Sequence, residues 1–427
     1  MTTLPPTIPP AAAAEIETYP RPLRRSLALA LGRALPQPPP LAAQPLMERA
    51  ERRAGSTDWG DDGFVEDLRV LLESISEDVP LTHLGHRVLC DTLEEGLSLR
   101  LRIRAEAARR PELVERPLRE PIVITGLHRT GTTFLHRLLC LDPAATWLPA
   151  WLAFYPLPLP SPGRLAADRR RRIRGTRTRI TLYHLISPAA RSIHSLGAEL
   201  PEEESVLFRS AFRSPYWHTR FPVVHHLRWI EGQDPRPDYR LLRTLLLLVQ
   251  SILPGERWVL KAPMHLEALD ALLDAFPRAA VVQLHRDPRR AVPSFVSMVE
   301  SLYALGVEDP RRADWIEALV GRCERAVRCA AEVRAAASGR RFLDVHFRDL
   351  VRDPLGVVGR IYRDLDLPLA GDARRRMEAF LARRELRRPR GRHRHRYSLA
   401  QYGLAAEGLR ARFRDYVDRY GVASEAG

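Results

Sequence analysis

Two glycines five residues apart, Gly126 and Gly131 in GLHRTGTT, constrain the fold of this chain more than any other feature in it. PIVIT (121–125) before them is a short β-branched run and TTFLHRLLCL after them has helical spacing, which places the glycines on a strand-to-helix turn. Glycine lets such a loop turn its N–H groups inward, and the helix that follows adds partial positive charge, so the segment is an anion cradle. The pattern is one residue away from the phosphate-loop signature G-x-x-x-x-G-K-[ST]: Thr132 stands where the lysine belongs. That lysine serves the β- and γ-phosphates in ATP- and GTP-hydrolysing enzymes, so its loss argues against that class, while Arg129 offers a cation inside the loop. A glycine turn without a ligand is the bland reading. Strand, helix, two hydroxyls (Thr132 and Thr133) and an arginine around it favour phosphate.

Three more strand-like runs lead into helical patterns: WVLK (258–261), AAVVQLH (279–285) and RFLDVHF (341–347). Short apolar strands alternating with helices predict an α/β fold, a three-layer parallel sheet with a P-loop-like phosphate-binding loop, flanked by helical N-terminal and C-terminal extensions. Residues 1–45 are Pro- and Ala-rich and read as a partly disordered arm in which SLALALGRAL is a short amphipathic helix rather than a signal peptide. Residues 46–118 have helical spacing, 119–370 form the main domain, and 371–427 are a basic helical extension. Within the domain, residues of about 142–240 are an insertion rich in Trp, Tyr, Phe and Pro, placed to form an acceptor pocket over the strand ends.

HRTGTT after PIVITG resembles the 5′-phosphosulfate loop of the PAPS-dependent sulfotransferases, PAPS being 3′-phosphoadenosine 5′-phosphosulfate. Arg286 and Ser294 in HRDPRRAVPS are similar to that family's 3′-phosphate signature, and FRDLVRDPLGVVGRIYRDLDLPL (347–369) is similar to its Y-E-D-L…D-P…L-G-L-P segment. His395, Tyr397, Ser398, Leu399, Tyr402, Gly403 and Leu404 resemble the closing segment of a bacterial branch. The resemblance implies sulfuryl transfer from PAPS to a hydroxyl, less readily an amine, of a small-molecule, lipid or glycan acceptor. Gly126, Arg129, Thr130, Gly131, Thr132 and Thr133 would hold the phosphosulfate, and Arg286 and Ser294 the 3′-phosphate. Positioning and electrostatics carry such a transfer, and no metal is required.

Composition bears on the catalytic residues. The 427 residues contain 66 arginines and one lysine, Lys261, at the end of WVLK. A compact ammonium approaches a developing oxyanion as a point charge where a planar guanidinium does not, so Lys261 is the expected charge stabiliser. His265 follows Pro263 at the start of a predicted helix, whose dipole disfavours imidazolium, and is the expected base. His194 and the acids Glu202, Glu203 and Glu204 are the competing candidates. Three acids after a proline ordinarily form a solvated helix start; here they also stand where an acceptor pocket would be lined.

The net charge of +15 suggests nucleic acid, but residues 169–179 and 383–396 each carry +7, leaving the rest nearly neutral. The first block reads as a solvated or flexible stretch. The second, with Arg390, Gly391 and Arg392, is a rough counterpart of the basic segment that closes the nucleotide site in sulfotransferases. A nucleotide or sugar kinase and a nucleic-acid-binding protein are the alternatives; the missing loop lysine and the absence of a nucleic-acid-binding motif weigh against them. Four cysteines, spaced neither as metal ligands nor as a disulfide framework, point to a reduced, cytoplasmic setting, and no apolar run approaches the length of a membrane span.

Overall fold

The computed structural model describes residues 22–425 apart from 35, 37, 61–62, 187–195, 305, 310–311, 338 and 387–396. Its centre is a fully parallel sheet of β1 (Pro121–Gly126), β2 (Ala145–Thr146), β3 (Arg257–Lys261), β4 (Ala280–His285) and β5 (Arg341–His346) in the order β2-β3-β1-β4-β5. Four strands match the runs read from the sequence. The fifth, β2, is two residues long, too short to leave a periodic pattern.

Side chains alternate across the sheet as the pleat requires, and both faces are apolar, so both are covered. Ile122, Ile124, Val259 and Val282 face one layer with Leu135, Leu138 and Leu139 of α5 (Thr132–Leu139) and Val357, Val358 and Ile361 of α10 (Pro354–Asp364). Val123, Trp258, Leu260 and Val281 face the other, larger layer. That layer is built from the N-terminal helices α1 (Pro22–Arg33), α2 (Ala43–Ala54), α3 (Gly63–Asp78) and α4 (His83–Arg109), together with α6 (Leu165–Ile186), α7 (Arg236–Gln250), α8 (Pro288–Tyr303) and α9 (Ala313–Ala336). The heptad-like run Leu89, Leu93, Leu97 and Leu101 is fully buried along α4, whose start is capped where Thr82 Oγ1 accepts the Gly85 N–H at 2.9 Å. Beyond α10 come α11 (Gly371–Leu386) and α12 (Arg414–Tyr420).

The chain leaves β1 for the β2 edge, returns through β3, then crosses over β1 to reach β4. The end of β1 is therefore the point where strand order reverses, and the loop bounded by Gly126 and Gly131 emerges there. The first arginine block belongs to α6 and is not simply solvated: Arg172 is buried and donates to the carbonyls of Tyr155 and Pro158, and Arg179 pairs with Glu95 at 3.0 Å. Most of the second block, including Arg390, Gly391 and Arg392, lies outside the described residues, as does His194. No helix among the described residues is long and apolar enough to cross a membrane.

Candidate active site

The loop after β1 takes a shape only glycine permits at its ends. Gly126 has φ 139°, and a Cβ there would lie 2.5 Å from the Leu284 carbonyl oxygen of β4; Gly131 has φ 96° where the loop enters α5. Between them Arg129 is left-handed with φ 70°, an unfavourable conformation for a residue with a Cβ. It is held from both sides. Its Nε donates to Ser294 Oγ at 3.1 Å, and its carbonyl accepts from the Arg286 guanidinium at 2.8 Å. Three residues expected to bind one nucleotide therefore touch one another across 165 positions of sequence. Burial lowers the Arg129 pKa, Tyr397 opposes that and the charge of Arg286 adds to it. Thr130 is turned inward to the Leu127 carbonyl at 2.7 Å, where it braces the loop, and Thr132 opens α5.

Lys261 ends β3 beside Ile124 of β1 and is 1% exposed. Its ammonium donates to Thr133 Oγ1 at 3.2 Å and forms an ion pair with Glu203, so the lone lysine, the loop and the acidic cluster meet at one point. Glu204 lies behind them, 1% exposed. Its Oε2 accepts the Lys261 backbone N–H at 2.9 Å and its Oε1 meets His265 Nε2 at 2.7 Å. Burial by itself raises a carboxyl pKa, but the hydrogen bond and charge of His265, with the Lys261 N–H, hold Glu204 below the usual range. The other nitrogen of His265, Nδ1, meets Tyr239 OH at 2.8 Å, and the ring is fully buried. Both His265 nitrogens are thus committed within the protein. Glu203 keeps a fifth of its side chain accessible.

The acids at 202–204 are accordingly not a solvated helix start, since Glu202 and Glu204 are buried and Glu203 is paired. Their placement follows from the insertion: Glu202 N–H donates to the Leu148 carbonyl and Ala150 N–H to the Leu200 carbonyl, laying the segment alongside 148–151 next to the end of β3. No periodic signal in EEES announces this. Tyr239 was missed for the same reason.

At the far side of the loop, Arg286 lies over the Phe347 ring at 3.9 Å and is gripped by Glu425 through Nε and Nη2 at 2.8 and 2.9 Å. The Glu425 N–H donates to Asp287 at 2.9 Å, and Ser424 accepts from Arg289. Tyr416 of α12 donates to it no proton but accepts the Arg286 backbone N–H at 3.3 Å. Tyr397 and Tyr402 of the C-terminal segment lie on α8, donating to the Arg290 carbonyl at 3.3 Å and to Glu300 at 2.9 Å. His225 and His226 point to separate partners, Asp78 and the Phe212 carbonyl.

The glycine-bounded loop at the switch point, with a lysine on one flank and an arginine and serine on the other, lies within residues 121–371, which match the model of the sulfotransferase family. The chain belongs to that family, which decides against the kinase and nucleic-acid readings. Among relatives, it is 29% identical over 267 residues to omega-hydroxy-beta-dihydromenaquinone-9 sulfotransferase Stf3 of Mycobacterium tuberculosis and of Mycobacterium bovis, a stretch covering 58% of this chain. The match spans 63% of the length of those relatives. Among solved structures, it is similar to sulfotransferase STF1 of Mycobacterium tuberculosis H37Rv (32% identity, 88% of this chain and 98% of that one, TM-score 0.76). It is also similar to sulfotransferase STF9 of Mycobacterium avium (26% identity, 91% and 99%, TM-score 0.80).

Proposed function

We propose that the protein transfers the sulfuryl group of PAPS to a hydroxyl group of a lipid. The observation that carries this is the convergence of Lys261, Thr133 and Glu203 at one flank of the anion loop, with Arg129, Ser294 and Arg286 joined at the other. The donor set fits the co-substrate: inward N–H groups, Arg129 and Thr132 suit a phosphosulfate, and a second arginine and a serine suit the separate 3′-phosphate. The acceptor hydroxyl loses its proton to Glu203, its oxygen forms the new bond to sulfur, and the bond from sulfur to the bridging oxygen breaks. The electron pair leaves with 3′-phosphoadenosine 5′-phosphate, and Lys261 stands ready to balance that charge. Glu203 serves as proton acceptor in this reading because its carboxylate, which accepts from Lys261 and Ser205, is still a fifth exposed and can meet substrate, whereas the His265 ring is fully buried. His265, enclosed between Glu204 and Tyr239, positions Glu204 and through it the end of β3.

A lipid acceptor is supported by the name of the mycobacterial relative and by the aromatic insertion beside the site. A reduced, cytoplasmic setting belongs to the same reading, supported by four cysteines that are all unpaired. Calorimetry with 3′-phosphoadenosine 5′-phosphate against ATP and magnesium tests the assignment. The 3′-phosphorylated nucleotide should bind more tightly, and Arg286→Ala should remove the preference, about ten- to a hundredfold for a charged hydrogen-bonded contact. Equal affinity for the two nucleotides would overturn it.

A further inference from the structure

An apolar cavity of about 750 Å³ opens at the β2 edge of the sheet, a size suited to a ligand of a few dozen heavy atoms. Trp147, Trp151, Ile173, Ile252 and Pro254 line it, with Leu165 at the mouth. Its charged groups are Arg169, Arg170 and Glu199. It is not the phosphate site. β2 pairs with β3 at Thr146 and Trp258, and Lys261 is three residues further along β3, about 10 Å at the rise of an extended strand. One segment connects the two places: the stretch 198–204 offers Glu199 to the cavity and Glu203 to Lys261.

We propose that this cavity binds the apolar tail of a lipid, and so holds the acceptor at a point remote from its reacting hydroxyl. The inference rests on the lipid-acceptor reading above and adds the place where the tail is recognised. The lining is mainly tryptophan, branched aliphatic and proline side chains, with its charged groups confined to Arg169, Arg170 and Glu199, and so suits an apolar chain better than a polyhydroxylated ligand. The surface of α6, which supplies Leu165, Ala166, Arg169, Arg170 and Ile173 to the cavity, points to an amphiphile. Of the seven large apolar side chains that stand exposed among the described residues, Leu165, Leu182 and Leu185 are on α6 and Leu200 is on the segment that follows it. Arg170, Arg171, Arg174 and Arg177 share the outer side of that helix with Leu182 and Leu185, the mixture that suits an anionic lipid surface. The arginine block is thus accounted for in three parts: Arg172 and Arg179 tie α6 to the domain, Arg169 and Arg170 line the cavity, and Arg171, Arg174 and Arg177 are exposed further along the helix.

Fluorescence quenching tests this without turnover, because two of the seven tryptophans line the cavity. The probe is 9,10-dibromostearate, whose bromines quench at contact. We expect saturable quenching that is reduced in Trp147→Phe. The double variant Leu165→Asp, Ala166→Asp should weaken it about tenfold or more, since it sets carboxylates in the mouth. Both positions are exposed in the first turn of α6, where acids are tolerated, and neither belongs to the phosphate site. Binding of 3′-phosphoadenosine 5′-phosphate to that variant should be unchanged, and for alcohol acceptors KM should rise for long chains and not for short ones. Quenching that does not saturate, or that survives the double variant intact, overturns the proposal. Saturable quenching without nucleotide preference would leave the tail site standing and sink the sulfotransferase assignment instead.

Discussion

Lys261 and Arg286 flank the same loop, yet their charges are balanced in different ways. Lys261 is 1% exposed and is neutralised by Glu203, with Glu204, His265 and Tyr239 packed behind. Arg286 is neutralised by Glu425, a residue on a surface segment whose carboxylate is 29% exposed. A buried charge network is fixed before substrate arrives and is costly to disrupt, whereas a partly exposed pair on a surface segment is easier to exchange. The Lys261 half is therefore suited to chemistry and the Arg286 half to reversible capture. Glu425 presents two oxygens to Arg286 in the manner a phosphate would.

The comparison breaks first at Glu203. Glu203→Gln should keep the fold and nucleotide affinity while turnover falls about 10²- to 10⁴-fold, the usual worth of a positioned base; near-normal turnover would move the base elsewhere. Lys261→Arg keeps the charge but not its shape, and should cost about 10²- to 10³-fold in kcat, measured beside an unchanged circular dichroism spectrum.

Acid should weaken the protein, in part through the Lys261 half. His136, whose Nε2 donates to the Val259 carbonyl of β3 at 3.3 Å, is 1% exposed; burial, helped by the charge of Lys261, lowers its pKa from 6.5 to about 4. Burial lowers His226 to about 4 as well. As pH falls from 6.5 towards 4 the unfolded chain gains protons that the folded chain does not, so stability drops, by about 3 kcal/mol for each group at most. It is regained as pH rises again. His136→Gln should flatten this dependence in urea titrations at pH 7 and pH 4.5; an unchanged slope would show that His136 is not part of it. The smallest effect belongs to the exchangeable half. Glu425→Gln should tighten 3′-phosphoadenosine 5′-phosphate by about two- to fivefold, because a competing, partly exposed pair is lost from the free protein, and weaker binding would show that Glu425 assists capture.

Legibility followed the reach of the signal. The loop around Gly126, Arg129 and Gly131 could be placed after a strand because it is contiguous, and Arg286 and Ser294, which flank one helix entry, prove to lie against Arg129. Lys261 stood out through composition alone. Tyr239 had no such mark, and Glu204 stood out only as one of three consecutive acids, since their shared partner His265 is reached only in the folded chain, where the insertion lies back along 148–151. β2 and Glu425 were invisible for a related reason: two residues carry no period, and a polar surface segment carries no hydrophobic pattern.

A parallel α/β sheet, the glycine turn after β1 and the family were legible from sequence, because each depends on the local backbone freedom of glycine, on strand and helix periodicity and on short-range spacing. Only the folded chain shows which acid meets the lysine, why His265 is enclosed, what pairs with Arg286 and where an apolar cavity opens. Those are properties of burial and of contacts between distant segments, and a charge or ring changes its chemistry with its surroundings rather than with its neighbours in the chain.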